Sequence, residues 1–191
     1  FPPQEERELV DPFNSATHSV GVHDRRAQAS QHLDGATLPS WELEEWRYSP
    51  IEDLKLERYS VAESATPLTA DELSALQSRY STPNLVVTRN GIVVHAEGLV
   101  DTDAADDAPR LDSNGDLFGD MNELFAPAPL RLTVKAGVML EDDVIVVHLI
   151  DQDGAAVFTR LIVDAGDSSV VKILEVFEST DVDALVVPQI E

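Results

Sequence analysis

The chain has 191 residues, 43% of them hydrophobic, and sets 13 Lys and Arg against 36 Asp and Glu for a formal charge of −23. That length and apolar content suffice for one sizeable domain or two small ones. A surface this acidic repels phosphate backbones and anionic leaflets, so neither nucleic acid nor membrane is an expected partner. The lack of cysteine excludes disulfides, thiolate metal sites, a Cys nucleophile and any cluster ligated by this segment's own sulfur.

No run approaches the length of a membrane span, and the start at Phe1-Pro2-Pro3 has neither a basic nor an apolar leader region. A cytoplasmic location is the expectation. The missing initiator Met implies a trimmed N-terminus or an excerpt of a longer protein. Residues 1–36 read as a loosely held polar arm. In it, Pro12 interrupts the apolar face of Leu9, Val10 and Phe13, and a helix is predicted over 22–33. His18, His23 and His32 lack the i, i+3 or i+4 spacing of ligands on one helical face, and read as solvated surface.

Both tryptophans, Trp41 and Trp46, fall in the next stretch. Ser40 suits an N-cap, Glu42 and Glu44 suit the positive end of the helix dipole, and Ser49-Pro50 suits its end. A second amphipathic piece follows over 51–59, and Trp46, Tyr48, Ile51 and Leu54 are expected to anchor the segment on the core. Thr69 with Glu72 three positions on predicts a capping box, opening a helix to about Tyr80. Asn90-Gly91 between two β-branched runs predicts a hairpin over 85–96, with His95 at its rim.

The segment 101–120 is acidic. Asp112, Asn114, Asp116, Asp120 and Glu123 fall at positions 1, 3, 5, 9 and 12 of a calcium loop, but position 6 is Leu117 where the sharp turn requires Gly. The competing reading makes 115–125 a helix that buries Leu117, Met121, Leu124 and Phe125 and turns its acids to solvent. Beyond Leu130, apolar β-branched runs recur at 130–134, 144–150, 157–163, 170–177 and 185–187, each closed by turn residues. These read as strands. The run 144–150 is apolar on both faces, as in a strand covered on both sides, with His148 inside it as a hydrogen-bonded core residue. Parallel stacking in a solenoid and an antiparallel sandwich both fit. No P-loop, dinucleotide turn, HExxH, G-x-S-x-G or triad spacing is present, and no enzyme activity is expected. No catalytic, cofactor-binding or metal-ligating residue is assigned.

Several landmarks occur in a colinear order. They are Glu44-Glu45-Trp46-Arg47-Tyr48-Ser49-Pro50-Ile51, Asn84-Leu85-Val86-Val87 with Asn90-Gly91, Asp120-Met121-Asn122-Glu123-Leu124-Phe125, Val134-Lys135-Ala136-Gly137-Val138-Met139-Leu140 and Val146-Val147-His148. Val157-Phe158-Thr159-Arg160 and Ser168-Ser169-Val170 continue the series. In order and spacing this resembles the SufB/SufD family, on the SufD side, from about residue 38 onward. The departures are Ala126-Pro127-Ala128-Pro129 in place of an Asp-Gly, Thr159 in place of a proline, and an unmatched 1–36.

The resemblance implies a mixed α+β fold, in which a small helical and hairpin N-terminal region precedes the first coils of a right-handed parallel β-helix. The implied divisions are an arm at 1–36, an α/β region at 37–128 and the start of the β-helix at 129–191. It implies a scaffold of iron–sulfur cluster assembly in the SUF system, paired with a SufB-like protein and bound by a SufC-like ATPase. The iron–sulfur cluster would belong to the full complex, with no cofactor on this segment. The family's ATPase-binding helices and functional histidine are implied past Glu191, and none of the five histidines here matches, so no site residue is carried over. An exposed strand edge at 185–187 is expected to self-associate. The alternative from the residues alone is a self-contained acidic β-sandwich binding module, for calcium or a partner surface.

Overall fold

The computed structural model describes residues 23–49, 51–102 and 116–191. In chain order these hold α1 (His23–Leu33), β1 (Ser60–Val61), α2 (Ala70–Tyr80), β2 (Asn84–Arg89), β3 (Ile92–Ala96), β4 (Val100–Asp101), α3 (Leu117–Phe125), β5 (Leu130–Val134), β6 (Val144–Ile150), β7 (Ala155–Ala165), β8 (Ile173–Ser179) and β9 (Ala184–Ile190).

Local chemistry accounts for most of these boundaries. Asn90 and Gly91 turn the β2–β3 hairpin at φ 51° and 88°, the two positive values that a tight primed turn demands. Thr69 caps α2 through the expected box: its Oγ1 accepts the Glu72 N–H at 3.2 Å, and Glu72 accepts the Thr69 N–H at 2.8 Å. Ser81 ends that helix in the left-handed region. Asp116 caps α3 by accepting the Gly119 N–H at 3.0 Å.

The Thr69 N–H and hydroxyl, with help from Arg89, hold the Glu72 carboxyl below its usual range. A depressed folded-state pKa gives stability that is complete above the unfolded-chain value and lost as pH falls through the folded one. Glu72→Gln is therefore expected to lower the urea midpoint most at neutral pH, with the difference from wild type shrinking on acidification below about pH 4.

Two sheets organise the strands, and each mixes parallel with antiparallel pairs. One holds β7 with β9 on one side and β1 and β5 on the other, β4 flanking β5; the second runs β3-β2-β6-β8. From β5 onward the chain alternates between the sheets, and each strand pairs in parallel with the strand two further on. Leu130 pairs with Leu161, 31 positions on, while Val144 pairs with Ile173 and Ala155 with Ala184, each 29 on. The connecting turns stack too, since the Gly137 N–H donates to Asp167 O at 2.8 Å and the Gly166 N–H to Val134 O at 2.8 Å. A Cβ on Gly166 would run into the backbone of Ala136, so the turns meet backbone to backbone.

Strand alternation divides the side chains among three apolar layers. Val86, Val144 and Val146 meet Leu130, Leu132 and Leu161 between the sheets. Outside the second sheet, Leu76 of α2 covers Leu85, Val87, Ile145 and Val147. Outside the first, Met121 and Phe125 of α3 and Leu33 of α1 cover Ala156, Phe158 and Val187. Each such side chain contributes about 1.5–3 kcal/mol when fully buried.

Three expectations are corrected. Residues 41–48 form no capped helix but a single 3-10 turn at Glu44–Trp46 without a side-chain cap. With Trp41 and Leu43 exposed, the segment has no apolar stripe whose burial would offset helix nucleation. Tyr48 is no anchor, being 90% exposed; Trp46 is, with its ring 5.5 Å from that of Phe118, and Leu54 joins the core. The acids of α3 do not face solvent. Asp120 is buried, and the Glu123 side chain is 13% exposed, because α3 is covered on both sides by α1 and by the sheet. α1 itself buries Ala29 and Leu33, which ties the end of the arm to the core.

Candidate functional site

Two buried polar constellations lie in the apolar layers. The first crosses the inter-sheet interior. Thr88 on β2, His148 on β6 and Glu175 on β8 occupy three adjacent strands, on the side that carries Val86, Val144 and Val146. His148 is 1% exposed. Its Nδ1 lies 2.8 Å from Thr88 Oγ1, and its Nε2 lies 2.9 Å from Glu175 Oε1. One protonation pattern satisfies all three groups: Nε2–H donates to the carboxylate and Nδ1 accepts the Thr88 hydroxyl. Phe177, the ladder neighbour of His148, stacks on the imidazole with centroids 4.6 Å apart.

Phe177 also lines a cavity of about 330 Å³, together with Ile150, Ser179, Val182, Ala184, Val186 and Pro188. In this order an imidazole oriented by a carboxylate can act as general base toward the hydroxyl. Thr88, however, is 3% exposed and does not line the cavity. As arranged, its hydroxyl is a hydrogen-bonding group of the interior rather than an accessible nucleophile.

The second constellation lies outside the first sheet, beneath α3. Arg160 of β7 is 3% exposed. Its guanidinium reaches Glu123 at 2.9 Å, Gln189 at 3.4 Å and Glu191 at 3.9 Å. Nearby, Arg26 of α1 donates to the Ala126 carbonyl at 3.0 Å. Burial holds the Arg26 guanidinium below its usual pKa, against the opposing pull of Glu123. Asn122 donates to the carbonyls of Thr159 and Val187 at 2.9 and 2.6 Å, beside Pro188, which brings no N–H to the ladder. These groups fasten α3 to β7 and β9, and α1 to the end of α3.

No protein-family model and no curated protein matches the chain.

The structure disperses the residues that the sequence singled out. His32 lies 3.3 Å from Asp120, His95 lies 3.7 Å from Glu97, and His148 is the expected hydrogen-bonded core residue. His18 and the side chain of His23 lie outside the described residues, as do Asp112 and Asn114 of the calcium-loop pattern. Of that pattern's remaining members, Asp116 caps α3, Asp120 faces His32 and Glu123 faces Arg160. Among the described residues no three His, Cys, Asp or Glu gather as a metal site, and no helix is long and apolar enough to cross a membrane.

Sequence reading missed Arg160 with Glu123 and Thr88 with Glu175. A signal for the second was present. Glu175 sits inside an apolar run 27 positions after His148, close to one turn of a stacked-strand repeat.

Proposed function

We propose that this chain is the N-terminal part of a SufD-like scaffold subunit of iron–sulfur cluster assembly, and that its stacked strands are the opening coils of a right-handed parallel β-helix. The observation that carries the reading is the ladder register. Successive strands alternate between two sheets and pair in parallel with partners 29 or 31 positions on, the arrangement produced by a chain wound in coils of constant length. The colinear landmarks from residue 38 onward agree with it. Parallel pairing between β5, β7 and β9 and between β6 and β8 disfavours the antiparallel sandwich module.

In this reading the segment shapes and caps the start of the β-helix that pairs with a SufB-like protein and is served by a SufC-like ATPase. The cluster is the cargo of that complex. The chain has no cysteine to hold it, and no chemical step is placed on these residues.

Co-expression with SufB-like and SufC-like proteins tests the proposal. A protein containing this segment is expected to co-purify with both at fixed stoichiometry. Failure to co-purify, or calorimetric calcium binding that Asp116→Ala abolishes, would overturn it in favour of the binding module.

A further inference from the structure

The chain carries two Asn-Gly pairs, Asn90-Gly91 and Asn114-Gly115, of which the first lies among the described residues. Asn-Gly is chemically labile, because a glycine has no side chain to keep its backbone nitrogen from the preceding side-chain amide. Once deprotonated, that nitrogen attacks Cγ of the asparagine. The new N–Cγ bond closes a succinimide ring, the Cγ–Nδ2 bond breaks, and ammonia leaves with the proton that the glycine nitrogen gave up. A water molecule then opens the ring at either carbonyl. The product is aspartate or isoaspartate, in which the chain runs through the side-chain carbonyl, and nothing is oxidised or reduced.

The fold holds this pair back. Asn90 is 6% exposed and its side chain is engaged by the residue that follows β6. Its Nδ2–H donates to Asp151 Oδ1 at 2.8 Å, and its Oδ1 accepts the Asp151 N–H at 3.0 Å. Its own backbone N–H donates to Leu149 O at 2.8 Å. Asp151 is fixed in turn by Arg89, whose Nε lies 3.2 Å from Asp151 Oδ2. The same guanidinium pairs with Glu72 and donates to the Thr66 carbonyl at 3.0 Å. Cyclisation needs the Asn90 amide free to swing onto the Gly91 nitrogen, and that swing breaks both bonds to Asp151, one of them to a charged acceptor.

We propose that Asn90-Gly91 is a latent self-modification site, locked by Asp151 in the folded protein and deamidated when the β2–β3 turn opens. The change runs one way. An aspartate at position 90 sets a carboxylate against that of Asp151 where a hydrogen bond stood. Isoaspartate lengthens the backbone of a tight turn that sets the hairpin register. A chain that stays open long enough is thereby marked and refolds less well. This inference does not depend on the assembly reading above.

Peptide mapping by mass spectrometry tests it, reading at Asn90, separately from Asn114, the mass gained when an amide NH2 becomes OH. At mildly alkaline pH, Asn90 of the native protein is expected to deamidate more than about tenfold more slowly than in guanidinium chloride, because the rate follows the open fraction. Asp151→Ala is expected to speed the native reaction about tenfold, the equivalent of one lost hydrogen bond, and to leave the rate in denaturant unchanged. Asp151→Asn keeps an acceptor oxygen and should stay slow. Equal wild-type rates in the two conditions, or a folded Asp151→Ala protein as slow as wild type, would overturn the proposal. If circular dichroism shows Asp151→Ala to be unfolded, Asp151→Asn decides: a rate near that of the native wild type supports the lock, and a rate near that in denaturant overturns it.

Discussion

Arg160→Met is expected to destabilise the protein by about 3 kcal/mol, the lower end of the usual cost of breaking a buried ion pair by removing one member, since Arg26 also acts on Glu123. The guanidinium is the cation between Glu123 and Glu191, whose side chains are 13% and 8% exposed. Methionine fills much of the volume, so cavity formation is a minor part of the loss. Arg160→Lys keeps the charge but loses the planar fork that reaches Glu123 and Gln189 together, and its cost is expected to be intermediate. Pairing Arg160→Met with Glu123→Leu should recover a large share, because the carboxylate that drives the penalty is gone. Urea unfolding measures the series. Trp46 adds a local reporter, since its ring packs on Phe118 of α3. If α3 lifts from the sheet in Arg160→Met, the Trp46 emission shifts to the red before the global transition. An Arg160→Met variant within about 1 kcal/mol of wild type would show that the network carries little of the fold.

His148→Leu is expected to cost about as much. It leaves Glu175, with a side chain 11% exposed, without its donor in an apolar interior, and strands the Thr88 hydroxyl as well. The double variant His148→Leu with Glu175→Leu should regain most of the loss, leaving about 1 kcal/mol for the unpartnered Thr88 hydroxyl. Thr88→Val in that background should then recover this remainder and bring the triple variant close to wild type. A double-mutant cycle in urea separates coupling from simple loss of packing, since packing losses at two independent sites would add. Additive losses for His148 and Glu175 would mean that the two side chains do not work as a pair.

Much of the local structure was legible in the sequence because its causes are local. The Thr69–Glu72 capping box, the Asn90-Gly91 turn and the five late strands follow from residue types at fixed offsets; the box and the turn lie where those offsets put them, and the five strands form with some bounds shifted, β8 running Ile173–Ser179 rather than 170–177. His148 was legible as a core residue for the same reason, lying in a run apolar on both faces. The tryptophan segment misled because its residues name a cap, a dipole partner and aromatic anchors without showing what they would pack against. Of its aromatic residues, Trp46 packs on Phe118 while Trp41 and Tyr48 stay exposed.

The sequence by itself determined where most strands, turns and caps would form, and that the chain carries a heavy acidic charge and no thiolate ligand. Tertiary structure alone decided which strands pair. A parallel ladder joins residues 29 to 31 positions apart, far beyond the reach of any turn or capping signal, and parallel and antiparallel stacking bury the same apolar runs equally well. It also decided the fate of the charges. Whether Glu123 or Glu175 meets solvent or a buried hydrogen-bond donor depends on the element that lands on its face, and that is set by the packing of whole layers rather than by its neighbours in the chain.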